Sequence, residues 1–220
     1  MKMRATLFLL GFLGSGLLFP VEVPAAVVIN EFLADPPAGL AGDANQDGKR
    51  SSSQDEFVEL LNIGPETADL SFWSLWDQLS LRHEFSVGAT LFAFERLVLF
   101  GGGSPNGIPG EVVTASTGSL SLNNSSDEIV LKDELGRVVD RVLYSHEASL
   151  DQALTRFPEG TGAFQLHTEV SRRGLRFSPG TDPEGENPDP SPAAPEPSTA
   201  LLFGLGLLFS WGFRASLLPQ

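Results

Sequence analysis

The segment Glu56-Phe57-Val58-Glu59-Leu60-Leu61-Asn62-Ile63 decides the fold class of this 220-residue chain. It is a short run with aromatic, β-branched and other large apolar residues, which is typical of a β-strand. Polar and apolar side chains alternate imperfectly along it, so we expect one buried face and one solvated face, with the acidic side chains on the solvated side.

Similar short runs recur from residue 27 to residue 178, and Gly, Pro, Asn or Asp separates them. This pattern predicts a single all-β domain, a sandwich or a barrel. Turns are expected at Asp133–Arg137, which would join a hairpin, and at Gly101–Ser104, whereas Ser149–Thr155 could form one helical turn. The predicted strands are Val27–Leu33, Glu56–Ile63, Thr67–Leu75, Leu79–Phe85, Arg96–Phe100, Glu128–Lys132 and Val138–Tyr144.

Composition excludes several classes of function. The chain has 14 Lys and Arg against 28 Asp and Glu, a net charge of −14, which disfavours nucleic acid or an anionic membrane surface as the main partner. Because there is no Cys, disulfides, thiolate zinc sites, iron–sulfur clusters and Cys nucleophiles are excluded. His83, His146 and His167 lie in no metal-ligand spacing, and no Gly-x-Ser-x-Gly motif is present. We therefore expect a protein that is not an enzyme.

Residues 1–26 have the features of a secretory signal peptide. Lys2 and Arg4 precede an apolar run from Leu7 to Phe19, and small residues follow it, so cleavage is expected after Ala25 or Ala26. An uncleaved membrane anchor is the alternative, but the run has only 13 residues, fewer than the roughly 20 that span a bilayer. The sequence therefore predicts export.

The other end of the chain has two further segments. Residues 179–198 hold seven prolines and five acidic residues without a large apolar side chain, which predicts an extended acidic linker without a core. Residues 199–213 form an uncharged run that predicts a hydrophobic helix, and Arg214 follows it. An ordinary C-terminal membrane anchor is one interpretation of this run.

A second interpretation comes from the residues before the run, Pro195-Glu196-Pro197. The order of Pro-Glu-Pro, apolar helix and basic residue over 195–220 resembles the PEP-CTERM sorting signal, although Arg214 stands alone where that family often has several basic residues. The resemblance implies cleavage by a membrane-embedded exosortase, transient anchoring in the membrane by the helix, and delivery to the surface of a Gram-negative bacterium.

The middle of the chain also carries a resemblance. Val28–Pro36, Asp55–Asn62, Asp69–Asp77 and the later pieces Asn124–Gly136 and Val139–Val142 follow, in order, the pattern of a lamin-tail domain. This implies an immunoglobulin-like β-sandwich over residues 27–178 that serves as a binding or scaffold module. Exopolysaccharide or a surface protein is the partner that we expect.

A loop between the first two strands predicts a calcium site. It offers hard oxygen ligands at alternate positions before Gly48, as in an EF-hand-type loop, although position twelve is Gln54 instead of Glu. The alternative is a solvated loop whose side chains bond to its own backbone. The expected ligands are the side chains of Asp43, Asn45 and Asp47, the carbonyl of Lys49, and a carboxylate from Asp55 or Glu56.

Three further groups of residues in the sequence allow a catalytic or binding role. A small secreted hydrolase that uses Asp55, Glu56 or Glu59 for acid–base catalysis is the alternative function, whereas a structural or metal-linked role is the favoured interpretation of these acids and of Glu31. The basic cluster of Arg172, Arg173 and Arg176 would bind the protein's own carboxylates or an anionic ligand. Trp73 and Trp76 should face opposite sides of a strand, one in the core and one free to stack on carbohydrate.

Overall fold

The computed structural model describes residues 26–187. The predicted signal peptide up to Ala25, the linker beyond residue 187, the hydrophobic helix 199–213, and the sorting residues Pro195, Glu196, Pro197 and Arg214 lie outside this range. Ala26, the first described residue, donates its N–H to Asn62 Oδ1 at 3.3 Å, and its carbonyl accepts a hydrogen bond from the N–H of Ile63 at 2.8 Å.

Short strands dominate the described residues. Helical structure there is limited to the α-helix α1 (His167–Val170) and two 3₁₀ turns, Gly39–Gly42 and His146–Ser149. The strands in this range are β1 (Val27–Leu33), β2 (Phe57–Asn62), β3 (Ala68–Asp69), β4 (Ser74–Trp76), β5 (Leu81–Glu84), β6 (Thr90–Leu91), β7 (Arg96–Phe100), β8 (Glu111–Thr114), β9 (Asp127–Lys132), β10 (Val138–Tyr144), β11 (Leu154–Phe157) and β12 (Ala163–Leu166).

The strands form a β-sandwich, which confirms the predicted fold class. One sheet has the order β12-β11-β1-β2-β7-β8, the other has the order β10-β9-β4-β5, and β3 pairs with β6. Every pairing is antiparallel except that of β7 with β8. The main core includes Leu60 and Phe32 from the first sheet and Leu131 from the second. The rings of Phe32 and Tyr144 lie 4.8 Å apart, so the two sheets pack closely.

Strand β2 is buried on both faces, which contradicts the expected solvated face. All six of its residues are buried. Val58 and Leu60 face the main core, and Phe57 on the opposite face packs in a second apolar cluster with Phe100 and Phe177. Because residues late in the chain cover the outer face of the large sheet, acidic side chains on that face are buried as well.

The predicted strand Thr67–Leu75 is wrong, since a turn divides it into β3 and β4. The N–H of Trp73 donates to the carbonyl of Leu70 at 3.0 Å, and Phe72 has a φ of 64°. The predicted helical turn Ser149–Thr155 is also wrong, because the 3₁₀ turn lies earlier and β11 already begins at Leu154. Strands β6, β8, β11 and β12, which have two to four residues each, were not predicted.

Two predicted loop features agree with the structure. The turn at Asp133–Arg137 joins β9 to β10, with hydrogen bonds of 2.9 Å between the backbones of Asp133 and Arg137 and of Gly136 and Asp133. The predicted turn Gly101–Ser104 directly follows β7.

Residues 179–187, which the sequence assigns to the linker, contact the folded domain. The N–H of Gly180 donates to Glu59 Oε2 at 2.8 Å, and the side chain of Glu184 accepts a hydrogen bond from the N–H of Arg172 at 3.1 Å. Within residues 26–187, no helix is both long and apolar enough to cross a membrane.

Candidate functional site

Residues 175–180 pack over the outer face of the large sheet, and we call them the cover. A cluster of charged side chains lies beneath this cover. Three neighbouring strands supply Glu31, Glu59 and Arg96, and Glu31 and Glu59 are register partners. Their exposed fractions are 1%, 0% and 6%. We call the buried cluster the set formed by Glu31, Glu59, Arg96, Glu159, His167 and Ser178.

Glu59 is surrounded by hydrogen-bond donors. Asn30 Nδ2 donates to its Oε1 at 3.0 Å, Gly180 N–H donates to its Oε2 at 2.8 Å, and Arg96 Nε lies 3.4 Å from its Oε1. Burial raises the pKa of Glu59, the charge of Glu31 raises it further, and Arg96 with the hydrogen bonds opposes them. Arg96 also pairs with Glu159, which places one cation between two carboxylates.

Glu31 contacts the covering segment through Ser178. The N–H of Ser178 donates to Glu31 Oε1 at 2.8 Å, and its Oγ lies 2.9 Å from Glu31 Oε2. The same Oγ lies 2.9 Å from His167 Nε2. On the other side of the imidazole, Nδ1 lies 2.7 Å from the carbonyl oxygen of Leu175. Because a carbonyl only accepts hydrogen bonds, Nδ1 carries a proton.

The geometry of the hydrogen bonds among Glu31, Ser178 and His167 determines how many protons they share. Ser178 has one hydroxyl proton but contacts both Glu31 Oε2 and His167 Nε2. If Glu31 is ionised and His167 neutral, one of the two contacts joins two acceptors. Both are satisfied when one further proton is present, on Glu31 or on Nε2. Burial raises the pKa of Glu31 and lowers that of His167, so Glu31 is the favoured carrier.

The arrangement of Ser178, His167 and Glu31 differs from that of a catalytic triad. In a triad the acid orients Nδ1 of the histidine, whereas here Nδ1 meets the carbonyl of Leu175 and the acid contacts the serine hydroxyl. All three side chains are buried. The geometry therefore suits a structural link that holds the covering segment against the sheet.

The three acids proposed for a hydrolase face different surroundings. Asp55 accepts hydrogen bonds from the N–H groups of Asn45 and Ser51. Glu56 accepts one from Leu122 N–H at 3.3 Å, and burial raises its pKa to about 8. Glu59 lies in the buried cluster. The structure thus gives these carboxylates no common site, and the prediction that strand-borne acids lie on the solvated face is wrong.

The loop predicted to bind calcium is closed by its own backbone. Asp43 accepts hydrogen bonds from the N–H groups of Asp47 and Gly48, and Asp47 accepts them from those of Lys49 and Ser104. Asn45 Oδ1 accepts one from Asp47 N–H at 3.0 Å. These are the contacts expected of the alternative, a self-bonded loop.

Only some of the expected calcium ligands come together. Asp55 bonds to Asn45 and is close enough to Asp43 and Asp47 that their charges contribute to raising its pKa, after the larger effect of burial. Glu56, the other expected closing carboxylate, accepts a hydrogen bond from the N–H of Leu122 at 3.3 Å. Among the described residues, no group of three or more His, Cys, Asp or Glu side chains is arranged to hold a metal ion.

The basic cluster bonds within the chain, although only one arginine meets a carboxylate. Arg172 Nε lies 3.2 Å from Glu184 Oε1. Arg173 donates to the carbonyl of Glu184, and Arg176 donates to the carbonyl of Asp151.

The two tryptophans have different neighbours, and both are half-buried. Trp73 packs against the main core. Lys132 Nζ lies 4.0 Å from the ring centroid of Trp76, a cation–π contact.

Two of the histidines lie outside the buried cluster. His83 Nδ1 accepts a hydrogen bond from Ser116 N–H at 3.1 Å, and burial lowers its pKa to about 4. His146 is exposed, with its Nδ1 3.8 Å from Glu147.

The residues that the sequence did not reveal are Arg96, Glu159, His167 and Ser178. Ser178 and Glu31 are separated by 147 positions, so no local spacing relates them. The available signal was the occurrence of Glu31 and Glu59 within strongly apolar strands.

Two family models match the chain. The one described as Lamin Tail Domain matches residues 20–146, more than half of the chain. The one described as PEP-CTERM protein-sorting motif matches residues 193–215. No curated protein matches. The first match extends past β10, so β11, β12, α1 and the cover that carries Ser178 follow it in the chain.

Replacing Glu31 by Gln tests the proton in the buried cluster. Because burial raises the pKa of Glu31, the folded protein holds a proton that the unfolded chain releases, and the free energy of unfolding falls as pH rises, by up to about 1.4 kcal/mol per pH unit. Glu31→Gln keeps both contacts with Ser178 and cannot titrate. We expect its Tm to fall less than that of the wild type between about pH 4.5 and pH 7, because burial raises the pKa of Glu31 from its ordinary value to about 7 and the extra proton is lost across this interval.

The exposed Glu66→Gln serves as a control and should keep the wild-type dependence. Ser178→Ala keeps the backbone contact but removes the bridging hydroxyl, so it should destabilise the protein by about 1–3 kcal/mol. A wild-type pH dependence in Glu31→Gln would show that Glu31 does not carry the proton.

Proposed function

Because this chain belongs to the lamin tail domain family and carries a PEP-CTERM sorting motif, we propose that it is a surface-displayed binding or scaffold module without enzymatic activity. The motif identifies the chain as an exosortase-sorted protein that is exported and transiently anchored in the membrane. The lamin tail domain is an immunoglobulin-like family without catalysis of its own.

The observation that carries the proposal is the burial of the candidate catalytic acids. Glu59 has no exposed surface, and Glu56 is 5% exposed, so neither can reach a polymeric substrate. The buried cluster also binds residues 178–180, at the start of the acidic linker, to the large sheet. Force on the linker would therefore act on the hydrogen-bonded sandwich, as a surface scaffold requires.

We propose exopolysaccharide of the cell surface as the partner, with a surface protein as the alternative. A binding module should be retained on isolated exopolysaccharide without releasing soluble sugar from it. Retention is measured by co-sedimentation, and sugar release by a reducing-end assay. Sugar release that Glu59→Gln abolishes would overturn the non-enzymatic assignment, and the absence of retention would overturn the choice of partner.

Sorting is tested by replacing Pro195, Glu196 and Pro197 with Ala. Since exosortase recognition is expected to need this motif, the full-length variant should accumulate in the membrane fraction and disappear from the surface. The chain offers a matched control in Pro188-Asp189-Pro190, a second Pro-acid-Pro triplet that lies outside the matched motif. Its replacement by alanines should leave display unchanged. Normal display of the first variant would contradict exosortase sorting.

We further propose that calcium binds the loop from Asp43 to Asp55 as a structural ion. Support comes from the proximity of Asp43, Asp47 and Asp55, whose mutual repulsion contributes to the raised pKa of Asp55. A divalent cation would relieve this repulsion, and carboxylate and amide oxygens suit calcium. Since few ligands converge, the affinity should be in the millimolar range that is common outside cells.

Thermal unfolding of the purified protein tests this proposal. We expect Tm to rise when about 1–10 mM calcium is added and to fall again with a chelator, because an ion that binds the folded state stabilises it. The double variant Asp43→Asn and Asp47→Asn should lose the response. An identical Tm in calcium and in chelator would refute the proposed calcium site.

A further inference from the structure

The turn that separates β3 from β4 holds a bulky residue in an unfavourable backbone conformation. Residues Leu70–Trp73 form a β-turn closed by a 3.0 Å hydrogen bond, and Phe72 occupies its third position with a φ of 64°. Glycine or asparagine is favoured at such a position, because the side chain of an ordinary residue crowds the backbone there. A phenylalanine at positive φ is therefore strained.

The chain itself shows that the backbone does not require phenylalanine in a turn of this kind. The neighbouring turn Ser86–Ala89 is closed by a 3.1 Å hydrogen bond and has Gly88 at its third position with a φ of 84°. The N–H of Leu70 donates to the carbonyl of Ala89, so the two turns lie side by side.

Burial does not compensate for the strain at Phe72. Its side chain is 58% exposed, so little of the apolar surface gains from leaving water. Phe94 provides a comparison, since it has a φ of 62° in the turn Phe92–Glu95 but is only partly exposed. A strained residue that contributes little to packing indicates a functional use of the side chain.

Phe72 lines an open hollow of about 420 Å³. The other lining residues are Asp69, Ser71, Trp73 and Glu134. Glu134 comes from the hairpin turn between β9 and β10, so two separate loops form the walls. Hydrogen bonds from Ser71 lower the pKa of Asp69, which therefore accepts hydrogen bonds as a carboxylate at neutral pH.

The chemistry of this hollow selects among ligands. Two carboxylates would repel an anionic sugar or a phosphate. A purely apolar ligand would leave those carboxylates without the donors that water provides. A neutral sugar combines an apolar C–H face, which can stack on an aromatic ring, with hydroxyl groups that donate to carboxylates.

We propose that this hollow binds a neutral sugar unit of a polysaccharide, with the sugar face against Phe72 and the hydroxyls donating to Asp69 and Glu134. The proposal rests on the proposed function as a matrix-binding module and identifies the binding site and the class of sugar.

Phe72→Gly separates a binding role from a structural one. Glycine relieves the strain at positive φ, so we expect the variant to melt at a higher temperature than the wild type. Its binding to neutral polysaccharide should nevertheless fall by about ten-fold or more, since the stacking surface is lost. A general folding defect would lower both quantities.

The assay uses the full chain in a detergent without a sugar headgroup. Dextran, laminarin and mannan serve as neutral probes and polygalacturonate as the acidic probe, with binding followed by affinity electrophoresis and tryptophan fluorescence. Phe94→Gly is the matched control, because it changes the same kind of turn away from the hollow, and its binding should stay within about two-fold of the wild type.

Several results would overturn the proposal: wild-type binding by Phe72→Gly, a lower Tm for that variant, or a wild type that prefers polygalacturonate. Retention on isolated exopolysaccharide distinguishes this failure from that of the proposed function. If wild type and Phe72→Gly are retained equally, the module binds its matrix elsewhere and only this site is wrong. If the wild type is not retained, the proposed matrix-binding function itself is wrong.

Discussion

The carboxylate of Glu59 lies in the middle of the six-stranded sheet without contact with water, and the surrounding structure must compensate for its burial. A buried carboxylate without partners is strongly unfavourable. Asn30 from β1, Arg96 from β7 and the N–H of Gly180 provide its partners. Because these groups come from three distant parts of the chain, one buried acid ties the strand order of the sheet to the position of the C-terminal segment.

The second buried acid, Glu31, also ties the covering segment to the sheet. Glu31 reaches Ser178 and, through its hydroxyl, His167, so a single shared proton completes a chain of hydrogen bonds across the covering segment. Such a network specifies one arrangement, since a partly satisfied alternative would leave buried polar groups unpaired. The Lamin Tail Domain match covers residues 20–146, whereas the cover that seals these acids follows it. The sandwich is therefore closed only when the chain has reached about residue 180.

Residues in the interior and at the surface of the domain depart from the usual preferences of their local structure, and they do so for different reasons. In the interior, acids occupy apolar strands because the cover supplies hydrogen-bond donors and Arg96 of β7 supplies a cation. At the surface, Phe72 occupies a turn position suited to glycine, and no packing compensates for it. This contrast assigns the buried cluster to stability and leaves the exposed turn as the place where we propose that the domain meets a ligand.

The sequence by itself determined the elements that depend on local composition. β1, β7 and β10 begin and end where their apolar and β-branched runs predict, and the hairpin turn at Asp133–Arg137 follows from its turn residues. The sorting motif is likewise a linear string that can be read without a fold. The division of Thr67–Leu75 was not predictable, because Phe72 carries no turn signal. Only the tertiary structure decided that Glu31 and Glu59 are buried, since their cover and their partners lie up to 147 positions away, and side-chain alternation within a strand carries no information about what a distant segment places over it.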